Sequence, residues 1–243
     1  VNIKLNLKVL IIDHDFFAQQ AMMSLLGWDR RTRVISLEYD LAGALRFIHQ
    51  ISPAEWPDVV LMEPEAFETA KGLREAIRTL TTAVPEVIIQ CLGHRPDPEL
   101  VKAAAESGVK AYMLRNDVKL RLVGVLCHAL DHEFTVTENV PYDHLHLSKP
   151  VEVVHEPQEY PGMTERIRQA LWLCVINGMP AQLAADEMAV SPHTIRSYIK
   201  AGYRILEAHD SNDYPDEMGP LERAFMRFTA LSDDDLDRED ESE

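Results

Sequence analysis

Apolar runs and amphipathic stretches alternate through the first half of the chain. Lys8–Ile12, Val34–Leu37, Val59–Met62, Val87–Ile89 and Ala111–Leu114 are short and almost wholly apolar, which predicts buried strands. Between them the apolar positions move to three- and four-residue spacing. This predicts helices over Phe17–Leu26, Ala42–Ile51, Glu68–Leu80, Pro98–Ser107 and Val118–His132. Five such alternations predict an α/β domain over residues 1–132, with a doubly wound, five-stranded parallel sheet. Sites in such sheets lie at the carboxyl ends of the strands. That directs attention to Asp13-His14-Asp15, Glu63-Pro64, Cys91 and Arg115.

Past residue 132 the pattern changes. Residues 133–161 hold Pro141, Pro150, Pro157 and Pro161 among acidic residues, which predicts a linker. An all-α helix-turn-helix domain is expected over 162–231. In it, Leu183, Ala184 and Met188 recur at helical spacing and predict one apolar face on a short helix. Ser191 is placed to cap a second helix, and Pro192 takes the first position, where a missing N–H does no harm. Along that helix Ile195, Ile199 and Leu206 face inward, while Arg196, Lys200 and Arg204 repeat every four residues on another side. A capped turn leading into a basic helix meets the geometric needs of major-groove reading. The same stripe would also suit the solvated face of an interaction module that pairs with another regulator and has little DNA affinity. Leu221, Phe225, Phe228 and Leu231 predict a last helix from Gly219 to about Leu231, packed on its own domain or on a second subunit. Residues 232–243 are so acidic that a disordered tail is expected.

A net charge of −16 has the wrong sign for a nucleic-acid binder, but its distribution alters the picture. Residues 1–130 carry −1, 131–161 carry −6, 162–209 carry +1 and 210–243 carry −10. The acidity therefore lies outside the two-helix unit. Few phosphate contacts are available to one copy, so a homodimer or a heterodimer with another regulator is expected. Cys91, Cys127 and Cys174 lack metal-ligand spacing and suit a reducing cytoplasm. Asp143-His144-Leu145-His146 offers two histidines without a further placed ligand, so these read as surface residues and no metal is expected. No apolar run is long enough to span a membrane, and Val9–Ile12 is too short for a signal peptide. A soluble cytoplasmic protein without a membrane partner is the expectation. Neither a complete nucleophile–base set nor a Gly-rich phosphate loop occurs, so no enzyme activity and no cofactor are expected.

At Thr164, Arg166, Gly178, Leu183, Ala184, Ser191, Thr194, Ile195, Arg196, Ile199, Arg204 and Leu206, residues 162–209 resemble the DNA-binding domain of NarL/LuxR-type response regulators. Ile167, Tyr198 and Ile205 replace the glutamate, histidine and lysine usual there. The resemblance implies double-stranded DNA as the partner. Arg196, Ser197 and Lys200 are then expected at base edges or the groove floor, with Thr194 and Arg204 on phosphates.

Residues 7–132 resemble the receiver domain of two-component response regulators. Receivers carry an acidic pair after the first strand, an acceptor aspartate after the third, a Ser/Thr after the fourth and a lysine after the fifth. Asp13 fits the pair, while His14 replaces its second acid, Glu63 the acceptor, Cys91 the hydroxyl residue and Arg115 the lysine. Tyr112 fits the aromatic switch position, which implies a dimer face near the fourth helix and fifth strand. Each exchange points away from phosphoryl transfer. A glutamate oxygen overshoots the in-line position by one methylene. Imidazole is a poor magnesium ligand, a thiol is a weak donor, and an arginine fork suits a permanent carboxylate pair. The expectation is an atypical, phosphorylation-independent receiver in which a Glu63–Arg115 ion pair replaces the switch. Glu63 would either mimic the charged state or sit in a decayed pocket.

Overall fold

The computed structural model describes residues 6–155, 160–209, 214 and 218–229. Two compact units divide the chain, with the change from one to the other between Glu156 and Pro157. Strands β1 (Leu7–Ile12), β2 (Thr32–Glu38), β3 (Val59–Met62), β4 (Ile88–Gly93) and β5 (Ala111–Leu114) form where the apolar runs predict them. Helices α1 (Phe16–Gly27), α2 (Leu41–Gln50), α3 (Ala70–Ala83) and α4 (Pro98–Glu106) alternate with them. After β5 come a single turn α5 (Arg115–Val118) and a short helix α6 (Leu122–His128). Side-chain alternation sends Leu10, Ile12, Val60 and Met62 into a core shared with α2, α3 and α4. Helices α1 and α6 pack together elsewhere on the sheet. There the buried Gln90 amide of β4 donates to the Leu126 carbonyl of α6 at 2.9 Å.

The sheet has seven strands rather than five, all parallel, in the order β2-β1-β3-β4-β5-β6-β7. The additional strands, β6 (Thr135–Thr137) and β7 (Glu152–Val154), both arise within the stretch that reads as a linker. Their connection holds no helix, yet Val140 is buried and Tyr142, Leu145 and Leu147 pack against the core. Thr137 Oγ1 accepts the Leu114 N–H at 3.0 Å, and the Asp117 carboxylate accepts both Asn139 N–H groups at 3.1 and 2.9 Å. Buried apolar surface and paired backbone thus make residues 134–155 part of the first unit.

In the second unit, α7 (Glu165–Leu171) starts at a Thr164 cap and runs into a π-helical turn over Trp172–Ile176. Helix α8 (Ala181–Glu187) and helix α9 (Pro192–Ala208) follow, then α10 (Pro220–Phe228). Gly202 lies in the middle of α9, and a Cβ there would come within 2.7–2.9 Å of the buried Leu171 side chain. The glycine lets α9 approach α7 closely. Gly202→Ala should therefore destabilise this unit by roughly 1–2 kcal/mol, although alanine gains about 1 kcal/mol in helix propensity. Thermal unfolding measures it, and unchanged stability would mean the helices are not held this close.

Phe225 and Ala224 of α10 join Leu206, Ile167 and Leu171 in one core, whereas Leu221 is 42% exposed, contrary to its expected place on the apolar face. Leu231 and the acidic stretch 232–243 lie outside the described residues. Among those described, no helix is long and apolar enough to cross a membrane.

Candidate functional sites

Four strand ends converge in the first unit. Asp13 follows β1, Glu63 follows β3, His94 follows β4 and Arg115 follows β5. The Asp13 and Glu63 residues are each only 1% exposed. Arg115 Nη2 is paired with Asp13 Oδ2 and stands 4.0 Å from Glu63 Oε1. The expected Glu63–Arg115 ion pair is present at its long limit, but the guanidinium sits closer on Asp13, and imidazoles are nearer to Glu63. His14 Nδ1 contacts Glu63 Oε2, and His94 Nε2 lies 3.0 Å from Oε1. Asp15 is committed elsewhere, since its Oδ1 caps α1 by accepting the N–H groups of Phe17 and Ala18 at 2.8 and 3.2 Å.

The electrostatics follow from this packing. Burial raises the Asp13 carboxyl above its ordinary range, against the lowering effects of the Asp15 N–H and the Arg115 charge. The hydrogen bond to Glu63, and then its charge, raise the exposed His14 imidazole. A magnesium ion of the receiver type would need several free hard oxygens here. Instead His14 replaces one acid, Asp15 caps a helix and Arg115 holds Asp13, so these residues do not fit that ion.

His94 escapes sequence reasoning because β4 runs to Gly93 rather than stopping at Ile89. The longer strand also moves Cys91 into mid-strand, opposite Met62 and Tyr112, where it is fully buried in the core. Desolvation pushes its thiol far up. Cys91 is not brought together with the other pocket residues. Glu65 positions the loop after β4: its Oε1 accepts the N–H groups of His94 and Arg95 at 2.7 and 2.9 Å. Gly93 leaves room beside it, since a Cβ would meet Glu65 Oε1 at 2.9 Å and the Tyr112 hydroxyl at 3.2 Å.

Tyr112 is fully buried, and its strand is flanked on both sides by β4 and β6. It offers no exposed ring for a partner, so Tyr112 itself takes no part in a dimer face near the fourth helix and fifth strand. A different surface is exposed. Helix α1 shows Phe16, Phe17 (81% exposed) and Met23, with Trp28 directly after it.

In the second unit Ser191 Oγ accepts the Thr194 N–H at 3.0 Å and lies 2.8 Å from Thr194 Oγ1. The cap and Pro192 start α9 where the sequence predicts. Arg166 Nη1 donates to the Met188 carbonyl at 3.3 Å, tying α7 to the end of α8. The turn passes through Ala189 at φ 52°. Ala184, Ala185 and Met188 form the buried face of α8, whereas Leu183 is 55% exposed, contrary to its expected place on the apolar face. On α9, Ile195 and Leu206 are buried while Arg196, Ser197, Lys200 and Arg204 are exposed. Thr194 is half-buried, and Ser197 Oγ donates to the His193 carbonyl at 3.1 Å. None of the three cations is in an ion pair with another described residue.

No family model matches the chain, and no curated protein matches it. Among solved structures it is similar to RcsB from Salmonella enterica serovar Typhimurium bound to promoter rprA with a phosphomimetic BeF3⁻. That match has 13% identity, covers 90% of this chain and 98% of the other, and has a TM-score of 0.45. A structure of two RcsB dimers bound to two parallel DNAs matches at 16% identity, over 81% and 89% of the two chains, with a TM-score of 0.47. A LuxR family DNA-binding response regulator from Silicibacter pomeroyi matches at 19% identity, over 53% and 94%, with a TM-score of 0.43.

Proposed function

We propose that the chain is a DNA-binding transcription regulator of the response-regulator type, in which α9 enters the major groove. The observation that carries this is the row Arg196, Lys200 and Arg204 on α9, exposed and without ion-pair partners among the described residues. A helix fits that groove, and free guanidinium and ammonium groups recognise guanine edges and phosphates. Ser191 and Pro192 set the start of α9, so its first exposed turns present Thr194, Arg196 and Ser197 together. Binding of the full chain to random and genomic duplexes, measured against salt, tests this reading. Affinity should fall steeply as salt rises. No binding at low salt would favour the interaction module, which the charge of only +1 over residues 162–209 supports.

Regulation without phosphorylation is part of the proposal. Arg115 is held on Asp13, His14 occupies Glu63, and no aspartate follows β3. Incubation with a small-molecule phosphodonor and Mg²⁺ should leave the intact mass unchanged. A stoichiometric phosphoryl adduct on the first unit would remove this element.

Pairing of two copies through α1 fits the modest charge of a single reading helix. Residues 16–27 contain no Asp, Glu, Lys or Arg, so two copies can meet there without like-charge repulsion despite the net −16. Burial of Phe16, Phe17 and Met23 would drive the contact. Phe17→Glu should shift the sedimenting species from dimer to monomer, because each interface would then bury two carboxylates. An unshifted profile places the contact elsewhere.

A further inference from the structure

We infer that residues 233–243 dock as an extended acidic segment along Arg196, Lys200 and Arg204 of α9, shielding that row from other polyanions. The three cations are exposed and take part in no ion pair among the described residues. Such a row is open to a polyanion, and the chain itself supplies one. Residues 233–243 (DDDLDREDESE) hold eight acids and one arginine. The acids also have a period. Every odd-numbered position from Asp233 to Glu243 is acidic, whereas Leu236, Arg238 and Ser242 fall among the even ones.

Two is the period of an extended backbone, on which alternate side chains share one side. Successive carboxylates on that side stand roughly 6.6 Å apart. Arg196, Lys200 and Arg204 follow one another by four residues, a rise of about 6 Å on a helix. An extended run therefore meets the row one carboxylate to one cation, with Arg238 on the other side.

Reach and tethering favour this occupant over a separate acidic partner. Helix α10 packs on α9 through Ala224, Phe225 and Leu206, so the segment leaves from the same unit. The fourteen residues after Thr229 can span ~46 Å, against ~25 Å for the whole of α9. A tether of this length holds the segment at a millimolar effective concentration. The other acidic stretch, 131–161, is largely folded into the first unit and offers no such run.

The consequence for DNA rests on the reading of α9 proposed above, whereas the docking itself does not. Random duplex offers mainly phosphates, for which the carboxylates compete, while a specific site adds base contacts. The segment would thus suppress random binding more than specific binding.

Carbodiimide coupling of the full chain at low salt, without DNA, tests the docking, because it joins an amine to a carboxylate in direct contact. Lys200 should couple to acids of 233–243 within one chain, and salt of about 0.5 M should abolish the link. Lys71, also exposed but on α3 of the first unit, should not couple to them. A variant with the eight acids changed to Asn or Gln should bind random duplex at least ~10-fold tighter at low salt. A synthetic peptide of residues 232–243 at ~1 mM should return that affinity toward the parent's. The inference is overturned if Lys200 couples no more than Lys71 or couples only between chains. It is equally overturned if the variant binds duplex as the parent does, or if the peptide has no effect. Coupling at Lys200 in a chain that binds no duplex with either tail would overturn the reading of α9 and uphold the docking.

Discussion

Replacing Arg196 and Lys200 together by alanine should weaken duplex binding at least ~30-fold, since each specific contact contributes about 1–3 kcal/mol. The dependence on salt should change little, because both residues are expected at base edges, whereas Arg204→Ala should flatten it. Each phosphate that no longer meets a cation lowers the slope of log affinity against log salt by about 0.9. Both side chains are exposed on α9 and take part in no ion pair among the described residues, so the folded unit should be unaffected. Circular dichroism provides that control. Affinity that stays at the parent level in a folded protein would remove α9 as the reading helix. A drop in affinity with a flatter salt slope would instead place one or both residues on phosphates rather than bases.

The parts of this protein that are legible in its sequence are those in which local pattern and tertiary packing agree. Strands β3 and β5 are continuous apolar runs buried on both faces, and β1 is interrupted only by the half-buried Lys8. The α9 start is legible because a cap and a proline act within one turn. Sequence reading fails where the deciding neighbour is distant in the chain. Strands β6 and β7 are three residues each, too short to show a period of two, and only pairing of β6 on the edge of β5 and of β7 on β6 makes them strands. Their one signal is composition: Thr135-Val136-Thr137 and Val153-Val154 are β-branched among acids and prolines. Cys91 is misplaced and His94 missed for one reason: the strand β4 continues past Gln90. That glutamine looks like a strand end, yet its amide is buried on the Leu126 carbonyl. Gly202 reads as a flaw in a helix until Leu171 is seen against it.

The pocket yields the second large effect. Arg115→Ala should cost the first unit about 3–5 kcal/mol, the usual loss when one member of a buried ion pair is deleted. Asp13 and Glu63 would then both be buried, with only His14 and His94 near Glu63 and no cation on Asp13. For a unit of this size each kcal/mol lowers the midpoint by about 2–4 °C, so calorimetry should register a drop of roughly 6–20 °C. Neutralising the orphaned acid separates charge from packing. In the double variant Arg115→Ala/Asp13→Asn much of the loss should be recovered, because an amide carries no charge to desolvate. If the double variant is no more stable than Arg115→Ala alone, the arginine acts through its aliphatic stem against the end of β5. The reading of this pocket as a charge-balanced ion cluster, on which phosphorylation independence partly rests, would then have to be abandoned.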